Sequence, residues 1–263
     1  AMQPATLISL WADIDWDRAE AAGTGPWKGE EFLPKAFADK IFTVEDRHLP
    51  GMIPVGPTTG GGNIGHAFGV DGTDERSITK GLLHARRSLI EYERFYKEYL
   101  TGYEKMWLAA TAPLFGVRET RRILGDYVLT VNDYERRATF DDEIGRYNYW
   151  IDLHPTAPTP NAFADHVKLR TSPMREGESY GIPYRVLTVR GFSNLLTAGR
   201  CVSTDRMVNG SLRVMPGRYI TGQAAGIAAA LAAQRPEPDV RAFPVSELQS
   251  RLKAMGAFLP NFR

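Results

Sequence analysis

One cysteine, Cys201, stands in 263 residues, so neither an internal disulfide framework nor a thiolate metal cage can be built. An excess of charge is missing too. The 32 basic and 31 acidic residues leave a net +1, and no basic run exceeds two residues, as at Arg86-Arg87 and Arg121-Arg122. That gives no electrostatic case for a nucleic acid. No apolar run approaches the roughly 18 residues of a membrane span. The opening AMQPATLISLWADIDW lacks the basic stretch and small-residue cleavage site of a secretory signal. The expectation is a cytoplasmic chain that spans no membrane and whose partner is a small molecule. No segment repeats another.

What is present suffices for a core. Hydrophobic residues make up 43% of the chain, enough for one large or two small domains, and strand-like and helix-like stretches mix into an α/β (α+β) class. Residues 4–15, PATLISLWADID, read as a strand. Residues 22–62 carry Gly and Pro between short apolar groups such as residues 40–44, which predicts short strands and ordered loops. Between Asp74 and Tyr99, Ile78, Leu82, Leu83, Leu89, Ile90 and Phe95 recur near helical spacing behind a Thr73 or Asp74 cap. That predicts a long amphipathic helix, followed by a second over residues 103–114. Strands are expected within residues 121–133, within FDDEIGRYNYWIDLH (140–154), within YGIPYRVLTV (180–189) and, buried, in SNLLTAGR (193–200). Residues 221–234, TGQAAGIAAALAAQ, predict a helix almost without side chains, opened by Gly222, and residues 245–255 a last amphipathic one.

GGGNIG, residues 60–65, satisfies G-x-G-x-x-G. The dinucleotide fingerprint, however, needs a hydrophobic strand before it and a helix opening inside it, because the pyrophosphate rests on that helix's amides. Two prolines precede the motif and two more glycines follow it, so it reads as a glycine-rich turn. The alternative is an anion cradle or substrate loop with Asn63 and His66 as its polar contributors. The five histidines, His48, His66, His84, His154 and His166, show no H-x-x-x-H spacing, and no dedicated metal site is expected. His154 follows Asp152 by two residues, so on a strand the two share a face and form a carboxylate–imidazole pair; a satisfied strand-end histidine is the competing reading. Arg118, with Arg121 and Arg122, suits an anion, or equally a salt-bridged corner.

NLLTAGRCVS (194–203) and GSLRVMPGRYITGQAAGIAAALA (210–232) resemble the C-terminal flavin-binding segment of FAD-dependent oxidoreductases related to the fumarate reductase and glutathione reductase type flavoproteins. GVRETRRILGDYVLT, FDDEIGRYNYWIDLH and IPYRVLTV resemble the same family in the same order, so the resemblance covers residues 71–233. It implies a partial FAD/NAD(P)-binding-type fold with a β-sheet substrate domain and a long helix. The substrate domain would take residues 1–185 with its helical segment at 74–114, the C-terminal part of the FAD-binding domain residues 186–235, and a tail residues 236–263. Gly199 and Arg200 would lie beside the ribityl chain, Gly222, Gln223 and Ala224 would present amides to the isoalloxazine edge, and Arg213 and Met215 would lie near the flavin. His154, oriented by Asp152, is the proton-transfer candidate, with Arg118 and Asn63 as substrate contacts.

A complete family member opens with a strand, a G-x-G-x-x-G turn and a helix, and this sequence instead starts in the substrate domain. The resemblance therefore implies hydride transfer at flavin N5 by a truncated enzyme, or by one completed by another polypeptide, with weak or absent FAD binding by this chain alone. A non-catalytic module pairing with a nucleotide-binding subunit or forming a homo-oligomer is the alternative. A small enzyme that holds a nucleotide on GGGNIG is a third.

Overall fold

The computed structural model describes residues 2–162, 164 and 174–262, which leaves His166 outside. The chain divides into two compact units, one of residues 1–118 and 154–168, the other of residues 119–153 and 169–263. The mixed α/β class is borne out.

The first unit is built on a four-stranded antiparallel sheet. Strands β1 (Ser9–Ala12), β2 (Met52–Gly56), β3 (Thr59–Gly62) and β4 (Trp107–Thr111) lie in the order β2-β3-β1-β4. Ser9 and Trp11 alternate inward from β1 and Leu10 outward, as a half-buried strand requires. Trp11 and Met52 share a core with Leu89, Tyr92, Phe95 and Tyr96 of a long helix, and two short helices, α1 (Trp16–Ala21) and α2 (Leu33–Ala38), add Ala19, Leu33 and Ala36. The long helix, α3 (Glu75–Tyr99), starts as predicted, its Asp74 carboxylate accepting from the Arg76 amide at 3.1 Å. Its buried stripe is Gly81, Ala85, Leu89, Tyr92, Phe95 and Tyr96, a helical spacing, whereas Leu83 and Ile90 are exposed.

The glycines expected in a turn form the strand β3. Their lack of side chains is a packing requirement: a Cβ at Gly62 would meet Ser9 Oγ at 2.5 Å and Trp11 Nε1 at 2.8 Å, and one at Gly60 would meet Ile14 Cδ1 at 2.6 Å. The strand runs antiparallel to both neighbours, and no helix opens between β3 and α3 at Glu75, so the geometry of a dinucleotide turn is absent there. Two further expectations are corrected. Residues 40–44 hold no strand, and residues 103–114 hold β4 in place of a helix, because pairing with β1 overrides the helical propensity of Leu108, Ala109 and Ala110.

The second unit joins an antiparallel pair, β5 (Glu143–Tyr147) and β6 (Tyr180–Pro183), to helices α4 (Val131–Glu135), α5 (Arg206–Leu212), α6 (Met215–Ala233) and α7 (Val245–Ala254). Ile144, Ile182, Leu212, Ala228, Leu231 and Leu252 belong to its core. The slimness of β5 lets α6 come close: a Cβ on Gly145 would stand 2.7 Å from Ile220 Cγ2. Residues 121–133 make only isolated bridges, at Gly125 and Leu129, before α4 begins. Residues 193–200, expected as a buried strand, are mostly exposed and bridge once, Leu196 to Thr188. Asp152 and His154 lie in irregular backbone, so strand alternation does not govern where they point.

Candidate functional site

In the first unit, three histidines from separate stretches of chain meet. One potential ligand nitrogen from each of His48, His66 and His154 falls within 4.8 Å of the other two. Asp46 arranges two of them through both its oxygens: Oδ1 accepts from the His48 amide at 3.2 Å and Oδ2 from the His66 amide at 3.0 Å. The same carboxylate lies against the ring of His66, with Nδ1 3.1 Å from Asp46 Oδ2. On the other side of the ring, His66 Nε2 lies 2.9 Å from His154 Nδ1. The His154 amide donates to Gln3 Oε1 at 3.1 Å, and the His48 ring stacks on His66 and meets His154 edge-on. Burial opposes ionisation of Asp46, but the His66 imidazole and the hydrogen bonds from His66 and the His48 amide outweigh it, holding the carboxyl below its ordinary value.

A cavity of about 580 Å3 in the same unit is lined by Ala67, Phe68 and Val70 and by Arg76, Lys80 and His84. The last three sit four residues apart on one face of α3, so a small ligand with an anionic group suits the polar side of the cavity and an apolar body the other. Phe68 also contacts the His66 ring edge-on.

The expected site residues of the second unit cluster around the start of α6, and that start is not where Gly222 suggested. The helix begins at Met215, with Val214 as its extended N-cap and Pro216 in the first turn, where a missing N–H costs nothing. Gly222, Gln223 and Ala224 lie two turns in, where amides bond to carbonyls four residues back and are unavailable to a ligand. Ala224 is 0% exposed in the core, and Gly222 faces open space, with nothing within 4 Å of a Cβ placed there. The N-terminal turn instead carries Met215 and Gly217, and the Arg218 amide is taken by Val214 O at 3.2 Å.

Gly199 does sit beside this helix. Its φ of +79° is the left-handed conformation that glycine tolerates, its amide donates to Thr221 Oγ1 at 3.1 Å, and Thr221 Oγ1 donates on to Gly217 O at 2.9 Å. Arg218 Nε donates to Arg213 O at 2.6 Å. Burial, and then the nearby cations Arg200 and Arg213, push the Arg218 guanidinium below its ordinary value. Three guanidinium groups are thus gathered at the positive end of a nineteen-residue helix.

The remaining candidates have other surroundings. Asp152 accepts from Arg213 Nη2 at 3.0 Å within the second unit, while His154 belongs to the imidazole cluster of the first. Arg118 is buried and its Nη1 donates to Pro4 O and Thr6 Oγ1, tying the N-terminal segment down. Asn63 is exposed just beyond β3. His48, Asp46 and Arg218 were not foreseen. Pro216 is the signal that would have placed Arg218 in the first turn of α6.

Residues 5–252 match the model of a family described as FAD dependent oxidoreductase. The chain belongs to that family of flavoprotein oxidoreductases, for which a small-molecule substrate is the expectation. No curated protein and no solved structure matches it. Among the described residues, no helix is long and apolar enough to cross a membrane.

The cations at the start of α6 are chemically compatible with the flavin end of FAD. A reduced flavin carries negative charge along its N1 and O2 edge, and the donor set at the start of α6 is cationic. Among the described residues both sheets are antiparallel, so the parallel βαβ unit on which a pyrophosphate rests is absent from them.

Proposed function

We infer that this chain forms the substrate domain and the flavin-edge part of a FAD-dependent oxidoreductase of the fumarate reductase and glutathione reductase type. In this reading the adenosine half of the cofactor is held by a nucleotide-binding βαβ unit outside these residues. The observation that carries the reading is the convergence of Arg200, Arg213 and Arg218 on the first turn of α6, where among the described residues the half-buried Arg218 has no carboxylate partner and an anionic edge would relieve the repulsion.

When bound, FAD supplies a two-electron acceptor at N5 for a hydride from the substrate. The chain's own residues do the rest. Arg200, Arg213 and Arg218 would hold negative charge on the ring edge, with the left-handed turn at Gly199 close to Arg218. Asp152 fixes Arg213 through its carboxylate and its carbonyl, at 3.0 and 2.6 Å. His154 belongs to the imidazole cluster of the first unit.

Titrating the purified chain with FAD, FMN and riboflavin by flavin fluorescence tests this reading. Without adenosine contacts the three should bind weakly and within about threefold of one another, and Arg218→Gln should weaken all three together by about tenfold, the effect of ~1.4 kcal/mol. FAD binding ten times tighter than FMN, or a stoichiometric yellow chromophore retained through purification, would refute it. Flavin affinity unaffected by Arg218→Gln would move the ring edge elsewhere and favour a non-catalytic module.

A further inference from the structure

We propose that His48, His66 and His154 form a binding site for one divalent transition-metal ion of the zinc class, with Asp46 as the carboxylate that orients His66. The proposal stands on the first unit alone and does not depend on flavin binding, so failure of either leaves the other intact.

The geometry is near that of a ligated ion. A zinc-class ion holds imidazole nitrogens at about 2.0–2.1 Å, which puts two of them about 3.4 Å apart at a tetrahedral angle. His66 Nε2 and His154 Nδ1 stand at 2.9 Å, and all three ligand nitrogens lie within 4.8 Å of one another, so an ion requires shifts of about an ångström or less in ring position. Two of the rings are buried and their backbones are held: His66 by Asp46 and His154 by Gln3. A ring whose second nitrogen is bound to a carboxylate is the usual supporting arrangement of a metal-ligating histidine, and the Asp46–His66 pair has it. The carboxylate also offsets part of the ion's charge beside two buried rings.

The donor set decides the ion. Three neutral imidazoles favour zinc, cobalt, nickel or copper, whereas magnesium and calcium require oxygen ligands. Three protein ligands also leave a fourth tetrahedral position, the pattern of an ion that meets an exogenous molecule rather than a purely structural one. His48 is the partly exposed member of the three, which places the approach of that molecule on its side.

The whole chain, stripped with a chelator, tests the proposal. Titration with Co2+ should produce the visible absorption of a tetrahedral nitrogen site, saturating at one ion per chain. Zn2+ should displace the colour, and Mg2+ should do nothing. His48→Ala should weaken Zn2+ binding by at least about 100-fold, and Asp46→Asn by about 10- to 100-fold, in calorimetry, with unchanged circular dichroism. The His66 ring is buried, and its replacement could unfold the unit. The partly exposed His48 and the stoichiometry of the unaltered chain therefore decide the outcome. No saturable binding of Co2+ or Zn2+ by the unaltered chain would overturn the proposal. So would equal affinity in His48→Ala, which would place the ion elsewhere.

Discussion

Two glycine-to-alanine substitutions should have opposite effects, for reasons visible in their surroundings. At Gly62 the added methyl would stand 2.5 Å from Ser9 Oγ and 2.8 Å from Trp11 Nε1. These two atoms already bond each other at 2.8 Å, in a position where Trp11 is 0% exposed. Ser9 can rotate away, but the indole N–H then loses its acceptor inside the core. Overpacking costs about 1–3 kcal/mol and an orphaned buried donor about 1–3 kcal/mol, against a gain of about 0.4–1 kcal/mol from a less flexible unfolded chain. Gly62→Ala should therefore destabilise the first unit by about 2–4 kcal/mol. Gly222 has helical backbone and open space around a Cβ, so Gly222→Ala should stabilise the second unit by about 0.5–1 kcal/mol. Urea unfolding followed by tryptophan fluorescence reads chiefly the first unit, which holds Trp11, Trp16, Trp27 and Trp107 against Trp150 in the second, and circular dichroism follows the helices of both. A neutral Gly62→Ala would mean that β3 does not need its glycines for packing. A destabilising Gly222→Ala would show that something approaches α6 there after all.

Two further substitutions probe the second unit. Thr221→Val removes the acceptor of the Gly199 amide and the hydroxyl bonded to Gly217 O, and should cost about 1–3 kcal/mol in urea unfolding; an unchanged midpoint would show that the turn is not anchored through it. Burial works against ionisation of Asp133, yet hydrogen bonds from Thr130, Arg136 and Tyr127 outweigh it and hold the carboxyl below its ordinary value. Its contribution is therefore present above the unfolded value of about 3.9 and lost as pH falls through the lower folded one. Asp133→Asn should cost about 0.5–2 kcal/mol near neutrality and flatten the acid limb of the stability profile, and an acid limb unchanged from the parent would count against this account.

The parts of the molecule legible in the sequence were those written locally. The amphipathic spacing of α3 and its Asp74 cap lie within one stretch, as do the repeat of small residues in α6 and the alternation around Trp11, and each became the expected element. Local pattern fails where a partner decides. Residues 107–111 have helix-forming composition and become a strand because β1 offers an unpaired edge, and Gly60, Gly61 and Gly62 mark a crowded sheet interior in the guise of a turn.

The imidazole cluster shows the same limit at the level of chemistry. His66 and His154 are 88 residues apart in sequence, so no motif spacing relates them, and only the fold brings Nε2 to Nδ1. Asp46, two residues before His48, is the local trace that was available, because a carboxylate able to accept from the second amide after it commonly fixes a turn. Its second oxygen reaching His66 was not legible, and that oxygen turns a turn-forming aspartate into the support of a ligand set. The same logic separates α6 from its glycines. Pro216 and not Gly222 marks the start of the helix, since a proline fits only where an amide has no carbonyl to meet, while a glycine within a helix records just the absence of a neighbour. With the start moved by seven residues, the positive end of the dipole falls beside Arg213 and Arg218, and the cationic pocket follows from where the helix begins rather than from how thin it is.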